Sequence, residues 1–453
     1  MSMISLYTAF SALQAAQAGT DTASNNVANA GTAGYTRQRV ELATRSTYQS
    51  PIGPIGTGVD VIDVSRARDR FADRRVWANS EVAGRFSAMS GLLGTMDEMT
   101  MEPEGGITGA LGNLWASFEQ LALDPPDTAA RLDTIAAMNA LTARIRDLAG
   151  SWSAQVDRAG VELGDTVGEV NTLLRDLGPL NVQILDTGTA GTPNDLLDSR
   201  DRILDRLTEL AGVAVTDNGD GTVRVSLNGL ALVDGNTVHQ IAVDGSYAFT
   251  DDSGNPLRPG GALAGYAEFL TADAPALMSG LDTFAADLAD AINAAHAAGV
   301  TPSGTPGGPL LTYTPGAAAS TIAVAVTDPS QIAAASDPGP PVPAFDGTNA
   351  EAIAALRDAA VALSGTTTID GAFRQVVTDV GSRARLAASN AESSQNLLRT
   401  AQNIRESRQG VSLDEEMADL IRYQRSYEAA ARVMTAVDQL LDTLVNRTGL
   451  VGR

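Results

Sequence analysis

The chain has no cysteine, only two histidines and 4% aromatic residues in 453 positions. It also has no lysine, so all 31 basic residues are Arg. Without Cys there are no disulfides, thiolate metal sites or cysteine nucleophiles, although the compartment stays open because secreted proteins can also lack Cys. Without Lys, a phosphate-binding P-loop or a Ser-x-x-Lys pair cannot be built. Hydrophobic content is 44%, so a core can form, but with few aromatics it must come mainly from Ala, Leu, Val and Ile. Such residues suit long helices packed side by side. No window reaches the roughly 18 apolar residues of a membrane span, so no membrane insertion is expected. The opening MSMISLYTAF has neither a positive residue nor an unbroken apolar segment, and so does not read as a cleaved secretory signal. Export would need a route that reads no such signal.

The net charge is −23, and it is unevenly placed. Residues 1–85 carry nine Arg against seven acids and residues 374–453 eleven Arg against ten, whereas residues 86–373 carry eleven Arg against 37 acids. Near-neutral ends can stack on copies of themselves without repulsion, and an acidic middle discourages other association. No face is plainly basic, so nucleic acid is not an expected partner.

No constellation for catalysis, cofactor binding or metal binding stands out. His239 sits in strand context and His296 late on a helix, each without a second ligand at metal spacing. The turn Asp217-Asn218-Gly219-Asp220-Gly221 suggests a calcium loop, but Asn228 occupies the twelfth position, where an acid is needed. In an acid-rich chain some carboxylates fall close by chance, which does not support glycoside hydrolysis.

Periodicity predicts a mainly α chain with an inserted β-containing module. Met3, Leu6, Phe10 and Leu13 recur at helical spacing, a stripe continued by Ala16, Ala23 and Val27 as far as Gly31. Pro51, Gly53, Pro54, Gly56 and Gly58 make residues 43–62 extended. A helix from Ala67 to about Met99 follows. After Pro125 and Pro126 comes a long helical run, capped by Asp127 or Thr128, with a break expected at Gly178–Pro179. Asp195–Gly212 is helical with alternating charges, which reads as a solvated face of ion pairs. From Val213 the period becomes two, giving a hairpin and further short strands to Phe249. Leu263–Ala298 is helical. Residues 301–317 and 336–347 are loops around a strand at Thr321–Val326. Helices are expected at Asn349–Leu363 and from Ile369 to Asn446, interrupted at Gly410.

The last helix opens with Ser412 three residues before Glu415, a capping box in which each side chain reaches the other's backbone N–H. Asp414, Glu415, Glu416 and Asp419 complement the helix dipole. A row then runs through Leu413, Met417, Leu420, Gln424, Tyr427, Ala431, Met434, Asp438, Leu441 and Val445, widened by Val433, Val437, Leu440 and Leu444. A face this wide needs a partner helix, and the N-terminal stripe is the candidate.

ASNNVANAGTAGYTRQRV (Ala23–Val40) resembles the N-terminal signature of the flagellar rod, hook and hook-associated proteins, through Ser24, Asn25, Asn26, Asn29, Gly34 and Tyr35. Ala33 stands where that family usually has Pro. Three further segments are similar to the hook-associated protein 1 branch: Leu180–Ile184 with Asn194–Val215, Leu281–Gly299, and Gly410–Asn446, which begins with Ser-Leu-Asp-Glu-Glu-Met. Residues 299–370 match nothing and are expected to form a variable outer region. The resemblance implies a non-enzymatic structural subunit, without cofactors, at the junction of hook and filament. It implies partners in copies of itself as a ring layer, the hook protein, a second junction protein, and an export chaperone at the C-terminal helix. It implies secretion by flagellar type III export. A hook or rod subunit, or a secreted adhesin or enzyme carried by the outer module, are the alternatives.

The expected organisation is an assembly core of 1–42 plus 411–453 with terminal helices paired like a coiled coil. A helical bundle would comprise 43–210 plus 349–410, with helix 263–298 able to pack there, and a small outer α+β module 211–348. The expected assembly-interface residues are Leu6, Phe10, Leu13, Asn25, Asn26, Asn29, Gly34, Tyr35, Leu413, Met417, Leu420, Ile421, Gln424, Tyr427, Met434 and Leu441. They are expected to stay loose in the monomer and to order against neighbours.

Overall fold

The computed structural model describes residues 2–50, 53–101, 106–188, 191–337, 339, 341–443 and 445. Helix α1 (Ser2–Asn29) leads into strands β1 (Gln38–Thr44), β2 (Tyr48–Ser50), β3 (Gly53–Ile55) and β4 (Val59–Arg66). Helices α2 (Arg70–Thr100), α3 (Ile107–Leu123), α4 (Thr128–Gly188) and α5 (Asn194–Ala211) follow. Then come β5 (Ala214–Asp217), β6 (Val223–Leu227), β7 (Leu230–Asp234), β8 (Thr237–Val238), β9 (Ile241–Val243), β10 (Phe249–Asp251) and β11 (Pro256–Leu257). Helices α6 (Gly261–Glu268) and α7 (Ala274–Ala297) are joined by a π turn, Phe269–Asp273. The chain continues through β12 (Leu311–Thr312), α8 (Ala318–Thr321), β13 (Ala323–Val324), α9 (Thr348–Ala354), α10 (Ile369–Gln409) and α11 (Leu413–Asp442).

The fold is mainly α, with small antiparallel sheets in the inserted stretch and with α1 packed on α11. The largest sheet has the order β5-β6-β7-β8, and a second is β11-β10-β9. One continuous hydrophobic core joins α3, α4, α5, α7 and α10 to the inner faces of these sheets. It is centred on Trp115, Phe118, Trp152, Phe269, Phe284 and Phe373, all fully buried.

The expected break in α4 does not occur; the helix runs 61 residues with Pro179 inside it. A mid-helix proline removes one hydrogen bond and costs about 3 kcal/mol. The sheet grips the helix on both sides of it and offsets that loss. A Cβ on Gly178 would stand 2.8 Å from Val238 Cγ2, so helix and sheet approach closely. Asn181 Nδ2 donates to Val223 O at 2.9 Å, and Asn181 Oδ1 accepts from Val223 N at 3.2 Å. Asp127 caps the start, accepting from Ala129 N and Ala130 N.

Helix α3 is absent from the sequence reading, although Leu111, Leu114, Trp115, Phe118 and Leu121 are fully buried. The strand expected at Thr321–Val326 shrinks to β13, because Thr321 closes α8. The helix expected to reach Leu363 ends in a 3-10 turn at Ala355–Arg357, and Leu363 and Ser364 take left-handed φ angles of 51° and 60°. The stretch expected to be peripheral is not: Leu310, Leu311, Ile322 and Ile332 belong to the main core. The helix expected to reach Asn446 is followed to Asp442; Leu444 and Asn446 lie outside the described residues.

Candidate assembly interface at the paired termini

Helices α1 and α11 run antiparallel, with Asn26 beside Glu416 and Gly19 beside Tyr423. The buried face of α1 is made of small residues: Ala9, Ala15, Ala16, Gly19, Thr22, Ala23 and Asn26. A Cβ on Gly19 would stand 2.4 Å from Tyr423 Cε1, so glycine is what lets the ring sit on the helix. On α11 the seam takes Glu416, Leu420, Tyr423, Ala430, Met434, Val437 and Leu441, buried or half-buried at spacings of three and four apart from the seven between Tyr423 and Ala430.

This seam differs from the expected row. Leu420, Met434 and Leu441 are on it and Tyr427 is at its edge, but Leu413, Met417, Gln424 and Asp438 face outward. The bulky side chains lie outside because the seam face of α1 is Ala and Gly, which favours close backbone approach. The outer surface therefore carries Tyr7 (59% exposed), Phe10 (49%), Leu413 (52%), Met417 (51%) and Ile421 (50%), with Val433 and Leu440 further along. Leu6 and Leu13 are half-buried; the side chain of Met3 lies outside the described residues. In the single chain both helices are formed and paired, and it is their outer faces that remain open.

The Asn-rich signature does a different job from the one expected. Asn26 is buried with every polar valence used. Its Nδ2 donates to Gln38 O at 2.8 Å and Glu416 Oε2 at 2.9 Å, and its Oδ1 accepts from Tyr35 Oη at 2.8 Å and Gln38 N at 2.9 Å. Glu416, only 2% exposed, also accepts from Arg37 Nε at 2.6 Å. Asn26 and Tyr35 thus knit α1, the connector and α11 within one chain. Asn25 and Asn29 are bonded to each other at 2.6 Å. Gly34 holds a φ of 77°, and a Cβ there would stand 2.6 Å from Arg202 Cδ. Burial, then the charges of Asp198, Asp195 and Glu416, push the Tyr35 hydroxyl up to about 12, so it stays a donor at neutral pH. Only half of the capping box forms. Ser412 Oγ accepts from Glu415 N at 3.5 Å, but the Glu415 carboxylate accepts from Arg37 Nη1 at 2.9 Å. Arg37, Gln38 and Glu416 are the residues sequence reasoning missed. The available signal was Glu416 itself, an acid at a seam position of a periodic helix.

The charges of α5 are not a solvated face. Asp198 and Arg200 are buried. Arg66 Nη1 reaches Asp198 at 2.6 Å and Asp201 at 2.9 Å, and Arg68 reaches Asp201 at 3.4 Å. Asp205 accepts from Trp77 Nε1 at 2.7 Å and pairs with Arg405 at 2.9 Å; burial nonetheless holds its carboxyl above the usual range. The partners come from β4, α2 and α10 rather than from one helical turn away, which is why periodicity misreads them. Arg206 with Glu209 is the pair that fits the i,i+3 expectation.

His296 is a structural residue, its Nδ1 at 2.6 Å from Gly308 O and its Nε2 accepting from Ala333 N at 2.7 Å. Among the described residues no helix is long and apolar enough to cross a membrane.

The family model for the flagellar hook-associated protein FlgK helical domain matches residues 93–311. Those for the flagella basal body rod protein and the flagellar basal body rod FlgEFG protein C-terminal match 6–36 and 406–447. The chain is 31% identical to flagellar hook-associated protein 1 of Bacillus subtilis, over 99% of each. It is 25% identical to the protein of that name from Salmonella typhimurium, over 97% of this chain and 98% of the relative. The solved structure of the flagellar hook junction protein FlgK from Burkholderia pseudomallei shares the fold, with a TM-score of 0.66 at 18% identity, covering 75% of this chain and all of the other. By sequence along its whole length, this chain belongs to the flagellar hook-associated protein 1 family.

Proposed function

We propose that this chain is a structural, non-enzymatic subunit of the bacterial flagellum that forms the junction between hook and filament and assembles through the outward faces of α1 and α11. The observation that carries the reading is the apolar strip Leu413, Met417 and Ile421 on α11, about half exposed on a helix pair that is already closed on its inner side, with Phe10 of α1 exposed further along at the level of Val433. Exposed apolar surface of this kind marks an interaction site. The α1 side of the seam buries mostly Ala and Gly, so the pair gains less from its own closure than two large apolar faces would, and contact with neighbours adds the rest. The neighbours in this reading are copies of the same chain in a ring layer, the hook protein below and a second junction protein above. An export chaperone covers the α11 strip before delivery, and the chain leaves the cell by flagellar type III export.

A rod or hook subunit is disfavoured because rod-type similarity is confined to the two ends, whereas the hook-associated helical domain spans 93–311. An enzyme or adhesin in the outer module finds little support: a hollow of about 150 Å³ against residues 300–346 is walled mainly by Pro125, Pro126, Pro302, Val300 and Val342. The test is electron microscopy of cells lacking this chain. Hooks without filaments, with flagellin shed into the medium, are expected; normal filaments would contradict the assignment.

A further inference from the structure

The two hydrophobic clusters stop short of the terminal helices. The larger begins at Met89 and ends at Ala387, and the smaller joins Val76 and Ala83 to Leu398 and Ala401. Neither takes a residue from α1, α11 or β1–β4. Hydrogen bonds and ion pairs cross from this terminal layer to the bundle. Thr36 N donates to Asp198 Oδ2 at 3.2 Å, Asn194 Nδ2 donates to Val64 O at 2.6 Å, and Asp63 accepts from the Thr192 hydroxyl.

These bonds close into a circuit. Asp198 pairs with Arg66, Arg66 with Asp201, Asp201 with Arg68, and Arg68 Nε donates to Asp73 at 2.7 Å. Asp73 accepts from Gln409 Nε2 at 3.1 Å, and Gln409 O accepts from Arg37 N at 2.9 Å, one residue from Thr36. The two chain crossings, Ala67–Asp69 and Gly410–Ser412, lie beside this circuit, and Arg408 pairs with Asp69 across it. A cleft of about 560 Å³ opens next to it, lined by residues 30–36, Asp201, Arg202, Arg405 and Gly410.

We propose that this polar waist is a joint, on which the α1/α11 pair and its β1–β4 ribbon tilt as one body relative to the bundle. Apolar cores resist sliding because separation exposes surface, at about 25 cal/mol per Å². The exposed Arg408–Asp69 pair can exchange its partner for water, the buried Arg66–Asp198 pair stays closed as the pivot, and the cleft gives the layer room to move. Within the terminal layer the Asn26–Glu416–Arg37 cluster keeps the pair intact while it tilts. A junction subunit with such a joint can hold its terminal layer fixed among neighbours while its bundle takes more than one angle. This goes beyond the junction reading, which requires only that the terminal layer assemble.

The absence of Cys permits a direct test with spin labels on R432C and V161C, at exposed sites on α11 and α4 of the full chain. Pulsed dipolar spectroscopy is expected to give one narrow distance distribution at about 0.05 M NaCl that broadens at about 1 M. Asp198→Ala in the same background is expected to broaden it at low salt. It is also expected to raise amide exchange at Thr36, Arg37 and Ala67 by about tenfold, while the buried segment Leu111–Leu121 stays within about twofold. A distribution that stays narrow in both high salt and the variant would overturn the joint. So would a broad one in the unmodified chain at low salt, or loss of protection at Leu111–Leu121 in the variant.

Discussion

Asn26 and Glu416 stand 390 residues apart in sequence and share a buried hydrogen bond of 2.9 Å. That contact sets how far α1 slides along α11. A slip by one heptad would leave the Glu416 carboxylate against Ala side chains with no donor, and an unpaired buried charge is strongly unfavourable. A buried polar residue at a seam position is a known means of fixing helix register.

Glu416→Ala is expected to loosen the terminal pair by about 2 kcal/mol, because Asn26 Nδ2 and Arg37 Nε lose their acceptor. Asn26→Ala should cost a similar amount, and the double variant less than the sum. Hydrogen exchange along Ala15–Asn26 measures this; no change in either single variant would contradict the register role.

Gly19→Val places a branched side chain where a Cβ alone already stands 2.4 Å from the Tyr423 ring. The gain in helix propensity, under about 1 kcal/mol, is smaller than the cost of moving the ring or spreading the helices. Motility should fall sharply, while thermal unfolding of the bundle, monitored by Trp115 and Trp152 fluorescence, stays unchanged.

His296 gives a pH dependence with a defined sign. Burial pushes its pKa below the usual 6.5, with the Gly308 carbonyl acting weakly the other way. The folded state binds its proton less readily than the unfolded state. Its stabilisation is therefore full above the unfolded pKa of 6.5 and lost as pH falls through 6.5 towards the folded value. The melting temperature should drop between about pH 7 and pH 5, and the drop should be smaller in His296→Gln. An equal drop in both would contradict it.

Deleting residues 303–347 should prevent folding, since Leu310, Leu311, Ile322 and Ile332 leave the core and Arg131 loses the carbonyls of Pro329 and Ile332. Deleting 3–13 should leave the bundle folded and abolish incorporation. Circular dichroism and motility of the two deletions separate these outcomes.

The contrast between those deletions shows where sequence was informative. Long periodic helices, the hairpin after Val213 and the Gly410 interruption follow from local chemistry and are legible. The Pro- and Gly-rich stretches 301–317 and 336–347 read as loops around a short strand, but composition cannot say that Leu310, Leu311, Ile322 and Ile332 reach the core. Helix α3 is not legible because Gly106, Gly109 and Gly112 interrupt the helical pattern over its first turns. The α5 charges and Asn26 were noticed, yet their roles depend on Arg66, Arg405 and Glu416, which are distant in sequence. The family signature contains Asn26 and Tyr35, and the fold places both in bonds within the chain.

The most direct measurement is thiol accessibility of a single Cys at Ile421 in this Cys-free chain. In the free subunit I421C should react rapidly with a maleimide, and in intact flagella it should be protected, while V161C serves as the reference on the bundle. Protection confined to the assembled state is the predicted result. Equal reactivity of I421C in free subunit and intact flagella would contradict assembly through the outer face of α11.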